Sequence, residues 1–227
     1  MSFLLAAASP SVSINFGKSL SRPSDSLLII LGIALIAVAP FLLIMLTGFT
    51  RIVVVLGLTR SAMGVTVPPN QVLVGLALFL SLFLMAPTLS QMNTTALQPY
   101  LHGKEDTSQA FAAAERPLET WMLAQTGKTQ LEMLAQAAHE HPKSPEDLPL
   151  TTVIPAFLLS QLEEGFLIGF VIFIPFLVID LIVSSALMSI GIVMLPPTLI
   201  SLPFKIMLFV LVDGWALVAH ALLAGFH

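Results

Sequence analysis

The chain contains no cysteine and one tyrosine, and only 10% of its 227 residues are charged. Without cysteine there are no disulfides and no thiolate metal sites, and the redox compartment stays open. An ordinary soluble domain is about a quarter charged, so this chain has too little polar surface for a water-exposed globule. A net charge of −4 gives no reason to expect nucleic acid as a partner. Motifs of catalysis are missing as well: there is no G-x-x-x-x-G-K-S/T phosphate loop, no G-x-S-x-G nucleophile elbow and no carboxylate pair in a recognisable catalytic setting. The sequence therefore points to a protein that is not an enzyme and needs no cofactor. His139-Glu140-His141 does not suit zinc, because its histidines are two apart beside Pro142 rather than four apart on one helical face. It reads as a solvated helix end, and no metal is expected.

What is abundant is apolar sequence, at 56% of residues, which makes a membrane-associated, all-α chain the expected class. Residues 1–25 read as a leader remnant or an extracytoplasmic segment, with a short apolar run and small residues near Ala8 but no positive n-region. Residues 26–90 form a first hydrophobic helical hairpin, with uncharged runs over Ser26–Leu46 and Gln71–Leu89, the second interrupted near Met85-Ala86-Pro87. Residues 91–150 hold eight of the thirteen acids and form a polar helical middle domain. There Asp106 suits a helix cap, Pro117 a helix start and Gly127 a helix end, and His141 to Pro149 reads as a loop. Residues 151–227 make a second hydrophobic hairpin.

The two hairpins echo one another. Gly64 is followed by Pro68-Pro69, and Gly191 by Pro196-Pro197. Proline is tolerated at the first turn of a helix and pushes the residue before it out of the α region. Each glycine is thus expected to end a helix, and Pro69 and Pro197 to start one. Non-helical backbone facing lipid leaves amide groups unpaired at several kcal/mol each, so such breaks survive when buried in protein or lining a cavity. Two readings stay open: the breaks belong to an assembly or a pore, or they are reverse turns at a membrane surface.

Asp180 and Asp213 lie inside apolar runs, and Lys205 follows Pro203. A charge at the bilayer centre costs at least about 2.5–3.5 kcal/mol, so these groups are expected to face protein, water or a partner charge. Helix-to-helix or subunit-to-subunit pairing is the plainer reading, and a proton relay the other. Arg51 and Arg60 flank the first turn region, which the positive-inside rule places in the cytoplasm, with the N-terminus and the middle segment outside. Gly165 and Gly169 in EGFLIGF form a G-x-x-x-G that lets helix backbones approach.

Leu46–Leu89 and Ile154–Trp215, with PPNQVL, IPFLVIDL and LPFKIMLFVLVDGW inside them, resemble the FliP family, the P subunit of the flagellar type III export gate, whose injectisome counterpart is SctR. The resemblance implies long kinked helical hairpins assembling into a helical ring. It implies a homo-oligomer, a pentamer, with Q-type and R-type subunits, working with B-type and A-type export proteins to form the entrance pore for unfolded flagellar polypeptides. The implied location is the bacterial inner membrane within the flagellar basal body, in contact with membrane lipids, with much of the complex on the periplasmic side.

In the family, the loop after the third long helix carries methionines that narrow the pore. Ile192, Val193 and Met194 occupy those positions here, so only Met194 keeps the sulfur. Methionine is flexible, whereas isoleucine and valine are stiff at χ1. Relatives also carry a glutamate after the serine of PAF-x-x-S, implied to pair with the lysine of LPFK on a neighbouring subunit. Here that position is Gln161, with Glu164 as the substitute for pairing with Lys205. Two other classes compete: a secondary transporter using Asp180, Asp213 and Lys205, and a non-conducting membrane scaffold.

Overall fold

The computed structural model describes residues 23–140, 142–192 and 194–226, and every regular element among them is helical. The chain divides into two units, Met1–Leu42 and Leu43–His227. The described part of the first belongs to α1 (Pro23–Leu46), whose Ile30, Ile33, Val38 and Phe41 are exposed.

In the second unit the central element is α2 (Phe49–Met63). It is short, and its Ile52, Val55 and Leu56 are buried against Leu73 and Ala77 of α3 (Asn70–Met92) and Val218 and Leu222 of α9 (Gly214–Ala224). Its far end, Ala62 and Met63, packs with Phe176 of α7 (Leu150–Ser189) and Phe209 of α8 (Pro197–Leu211). The G-x-x-x-G is the crossing of α7 over α2. A Cβ on Gly165 would lie 3.3 Å from the Arg51 carbonyl oxygen, and one on Gly169 would lie 2.3 Å from Leu58 Cδ1. Only glycine lets the two backbones come this close.

The middle segment folds as α5 (Thr107–Ala124) and α6 (Lys128–Ala137), with a small core of Met122, Ala135, Leu148, Val153 and Phe157 against the start of α7. Asp106 caps α5 in a reciprocal box with Gln109. Neither Pro117 nor Gly127 takes the role expected of it. Helix α5 runs through Pro117, and Gly127 is the N-cap of α6 rather than the end of the preceding helix. The local preference of proline to break or start a helix gives way to tertiary packing, since Pro117 is buried. Pro87 does not interrupt its run either: α3 passes through it and continues by a π-helical turn, Asn93–Leu97, into α4 (Gln98–Leu101). Within the expected loop, Pro145–Asp147 forms a 3₁₀ turn, and His141 lies outside the described residues.

Two helices, Asn70–Leu101 and Leu150–Ser189, are long and apolar enough to cross a membrane, and up to four spans result if each bent helix pair counts as one. One such pair is α8 and α9, which meet at 63°. Forty residues of α7 make about 60 Å of helix, well beyond the ~30 Å hydrocarbon core.

Candidate functional site

Both glycine–proline breaks are built as helix stops and starts with local hydrogen bonds at the helix ends. Helix α7 ends in a Schellman motif: Gly191, at φ +79°, donates to the Met188 carbonyl at 3.1 Å, and the Ile192 amide donates to Leu187 at 3.0 Å. Helix α8 restarts with Pro197 at its first position, where the missing N–H would have had no helical partner. At the first break Gly64, at φ +73°, caps α2, Pro69 precedes α3, and Arg60 donates through Nη1 to the Pro68 carbonyl at 3.2 Å. This closure lowers the cost of breaking a helix in an apolar setting.

What the second loop presents is apolar. Met194 is 97% exposed, and Ile190, Ile192 and Leu195 are exposed beside it. Val193 lies outside the described residues. No charged residue occurs between Asp180 and Lys205, so these are the first ionisable groups on either side of the loop. They meet: Lys205 Nζ lies 2.6 Å from Asp180 Oδ2. Lys205 also donates to the Ala62 carbonyl at 3.1 Å, and Ser201 Oγ donates to Asp180 Oδ1 at 2.6 Å. Gly64 and Leu202 face one another at the same end, so the two loops share it.

The remaining polar groups gather lower on α7. Arg51 does not flank the first loop, as its place in the sequence suggests. It sits in the first turn of α2, wholly buried, with Nη1 donating to the Gly225 carbonyl at 2.6 Å and Nη2 2.6 Å from Glu164 Oε2. The Phe226 ring covers its guanidinium at 4.1 Å. A buried guanidinium persists only with such partners, which is why it sits here and not at a loop. Gln161 is fully buried and donates through Nε2 to the Gln125 carbonyl at 3.1 Å, while Ser160 Oγ accepts from the Gly127 amide at 2.9 Å. Glu163 accepts from Gln130. One turn of α7 thus holds the α5–α6 corner on one side and Arg51 on the other. Within the chain Lys205 pairs with neither Gln161 nor Glu164. Asp213 is exposed, at φ +50°, at the corner between α8 and α9. No cluster of three His, Cys, Asp or Glu able to hold a metal occurs among the described residues.

The partners met here include Ser201, the Ala62 carbonyl and Phe226. Ser201 was findable, one helical turn before Lys205 on the same face. A backbone carbonyl and a ring brought from the far end of the chain were not.

The sequence as a whole has relatives among known proteins. The FliP family profile matches residues 32–222. Relatives named flagellar biosynthetic protein FliP include one from Bacillus subtilis, 49% identical over 205 residues, which cover 89% of this chain and 93% of the relative. One from Aquifex aeolicus is 45% identical over 207 residues, 89% of this chain and 87% of the relative. One from Caulobacter vibrioides is 44% identical over 224 residues, 98% of this chain and 84% of the relative. The chain therefore belongs to the FliP family.

Proposed function

We propose that this chain acts in flagellar protein export as a core subunit of the type III export gate, and that its α7–α8 loop forms part of an apolar constriction at the entrance pore for unfolded polypeptides. The observation that carries this reading is Met194, 97% exposed at the tip of a loop with no charged residue on either arm before Asp180 and Lys205. A lone exposed methionine on a surface means little. A ring of such loops, one from each copy of a homo-oligomer, makes a hydrophobic gate that closes by dewetting. Ile192 and Val193, branched at Cβ, make this gate stiffer than one lined by methionines.

The same reading places further copies and the Q-type and R-type subunits against the exposed apolar faces of α3 and α7, within or beside the lipid of the inner membrane. For pairing between copies, Gln161 is sealed inside its own chain, whereas Glu164 is 44% exposed. Glu164 is therefore the group that a neighbour's cation could reach. The transporter alternative is less favoured, because Lys205 and Asp180 neutralise one another and Asp213 sits on an exposed corner.

The test is conductance through the complex expressed with its Q-type and R-type subunits. Met194→Ala and Ile192→Gly should leave assembly intact and raise leakage of ions and small solutes. Unchanged conductance in assembled complexes would remove the constriction from this loop.

A further inference from the structure

We propose that Lys205 is the positioning residue of the gate, a clamp that joins α2, α7 and α8 below the two loops and so sets how far the apolar loop stands open. The proposal rests on the pore reading above. An ammonium has three donors and no acceptor. Two of them are directed here at Asp180 Oδ2 on α7 and at the Ala62 carbonyl on α2, while Lys205 itself stands on α8 and is only 6% exposed. Ala62 lies in the last turn of α2, where carbonyls lack a helical N–H partner and the helix dipole favours a cation. Asp180 is held twice by α8, since Ser201 takes its second oxygen.

The position of the clamp in the hairpin gives it leverage. From Asp180 to the end of α7, and from Pro197 to Lys205, each arm is roughly 12–14 Å of helix. Among the described residues no hydrogen bond or ion pair joins these arms nearer the loop than Ser201. Below the clamp, by contrast, Phe176 and Phe209 pack at 6.2 Å between ring centroids. Among the described residues, the polar links between the arms therefore stop at Ser201, one turn of α8 above Lys205. The Ala62 contact ties the first loop, which starts at Gly64, to the same point.

The experiment measures small-solute leakage and assembly of the complex carrying its Q-type and R-type subunits. Lys205→Met should give an assembled complex that leaks several-fold more than the wild type. Lys205→Arg should restore tightness, because a guanidinium can still donate to a carboxylate and a carbonyl together. The charge swap Asp180→Lys with Lys205→Asp should not, because it sets a carboxylate against the Ala62 carbonyl. Restoration by the swap would reduce the site to simple charge pairing and overturn the three-helix clamp. An assembled, tight Lys205→Met complex, beside leaky Met194→Ala and Ile192→Gly controls, overturns the clamp and leaves the pore reading standing. If the controls are tight as well, the pore reading falls and the clamp with it. Where Lys205→Met prevents assembly, Ser201→Ala carries the test, since it removes one hydrogen bond from Asp180 and leaves both charges: leakage supports the clamp, tightness overturns it.

Discussion

Arg51 Nη2 stands 2.6 Å from Glu164 Oε2, a wholly buried cation against a carboxylate that is 44% exposed. The contact is an ion pair rather than a directed hydrogen bond, and Arg51 Nε has no partner among the described residues. The two partners are therefore unequal. Glu164→Gln leaves a buried guanidinium with only the Gly225 carbonyl and the Phe226 ring, at a cost of about 1–3 kcal/mol. Arg51→Met leaves a carboxylate that water can reach and fills much the same volume. Thermal unfolding in detergent should rank Glu164→Gln as the more destabilising change; the reverse order would show that packing around Arg51, not its charge, is what Glu164 supports.

The crossing of α7 on α2 separates three glycines. A Cβ at Gly165 meets the Arg51 carbonyl oxygen and Val54, both at 3.3 Å, and one at Gly169 meets Leu58 Cβ at 3.0 Å, whereas one at Gly57 meets nothing within 4 Å. Alanine at Gly165 or Gly169 should destabilise by about 1–3 kcal/mol, because backbone or a packed side chain must move. Gly57→Ala should stabilise by about 0.4–1 kcal/mol through the unfolded chain. Unfolding midpoints of the three variants check the contrast.

At Gly191 the cost of a side chain is purely one of backbone conformation, because φ is +79° and a Cβ would find open space. Gly191→Ala should cost about 1–2 kcal/mol. Gly191→Asn should cost less, since asparagine serves at this cap position in other helices. Hydrogen exchange at the Ile192 amide, whose bond to Leu187 closes the motif, should quicken in the alanine variant more than in the asparagine variant.

In the middle domain, burial first and then the neighbouring Glu115 and Glu146 push the Glu119 carboxyl above the usual carboxylate range, against the pull of Arg116. The folded form therefore holds this proton more tightly than the unfolded form. Glu119 imposes no penalty below the ordinary carboxylate range; one develops as pH rises from there through its folded value, and it persists above. Glu119→Gln should raise the unfolding temperature at neutral pH, and the gain should vanish on acidification. A gain that stays constant with pH would assign the effect to something other than this proton.

Some of this architecture was written in local chemistry. The two Gly-to-Pro-Pro breaks are legible because a left-handed cap and a proline start are properties of single residues, independent of what packs around them. The Asp106 cap is legible for the same reason. Pro117, Pro87 and Gly127 show the limit, because there the neighbouring helices decide whether a local preference prevails. The family was legible too, in runs such as IPFLVIDL and LPFKIMLFVLVDGW.

By itself, then, the sequence determined an apolar helical protein with two capped breaks and a loop free of charge, since hydropathy and backbone preference act locally. Only the tertiary structure decided which charges meet. Asp180 joins Lys205, and Arg51 joins Glu164 under Phe226, because burying an ion requires a partner and that partner is set by how helices cross, not by spacing along the chain. GIVMLPP can be read as a break from its letters alone; that its two arms are fastened by one buried lysine to the end of α2 cannot.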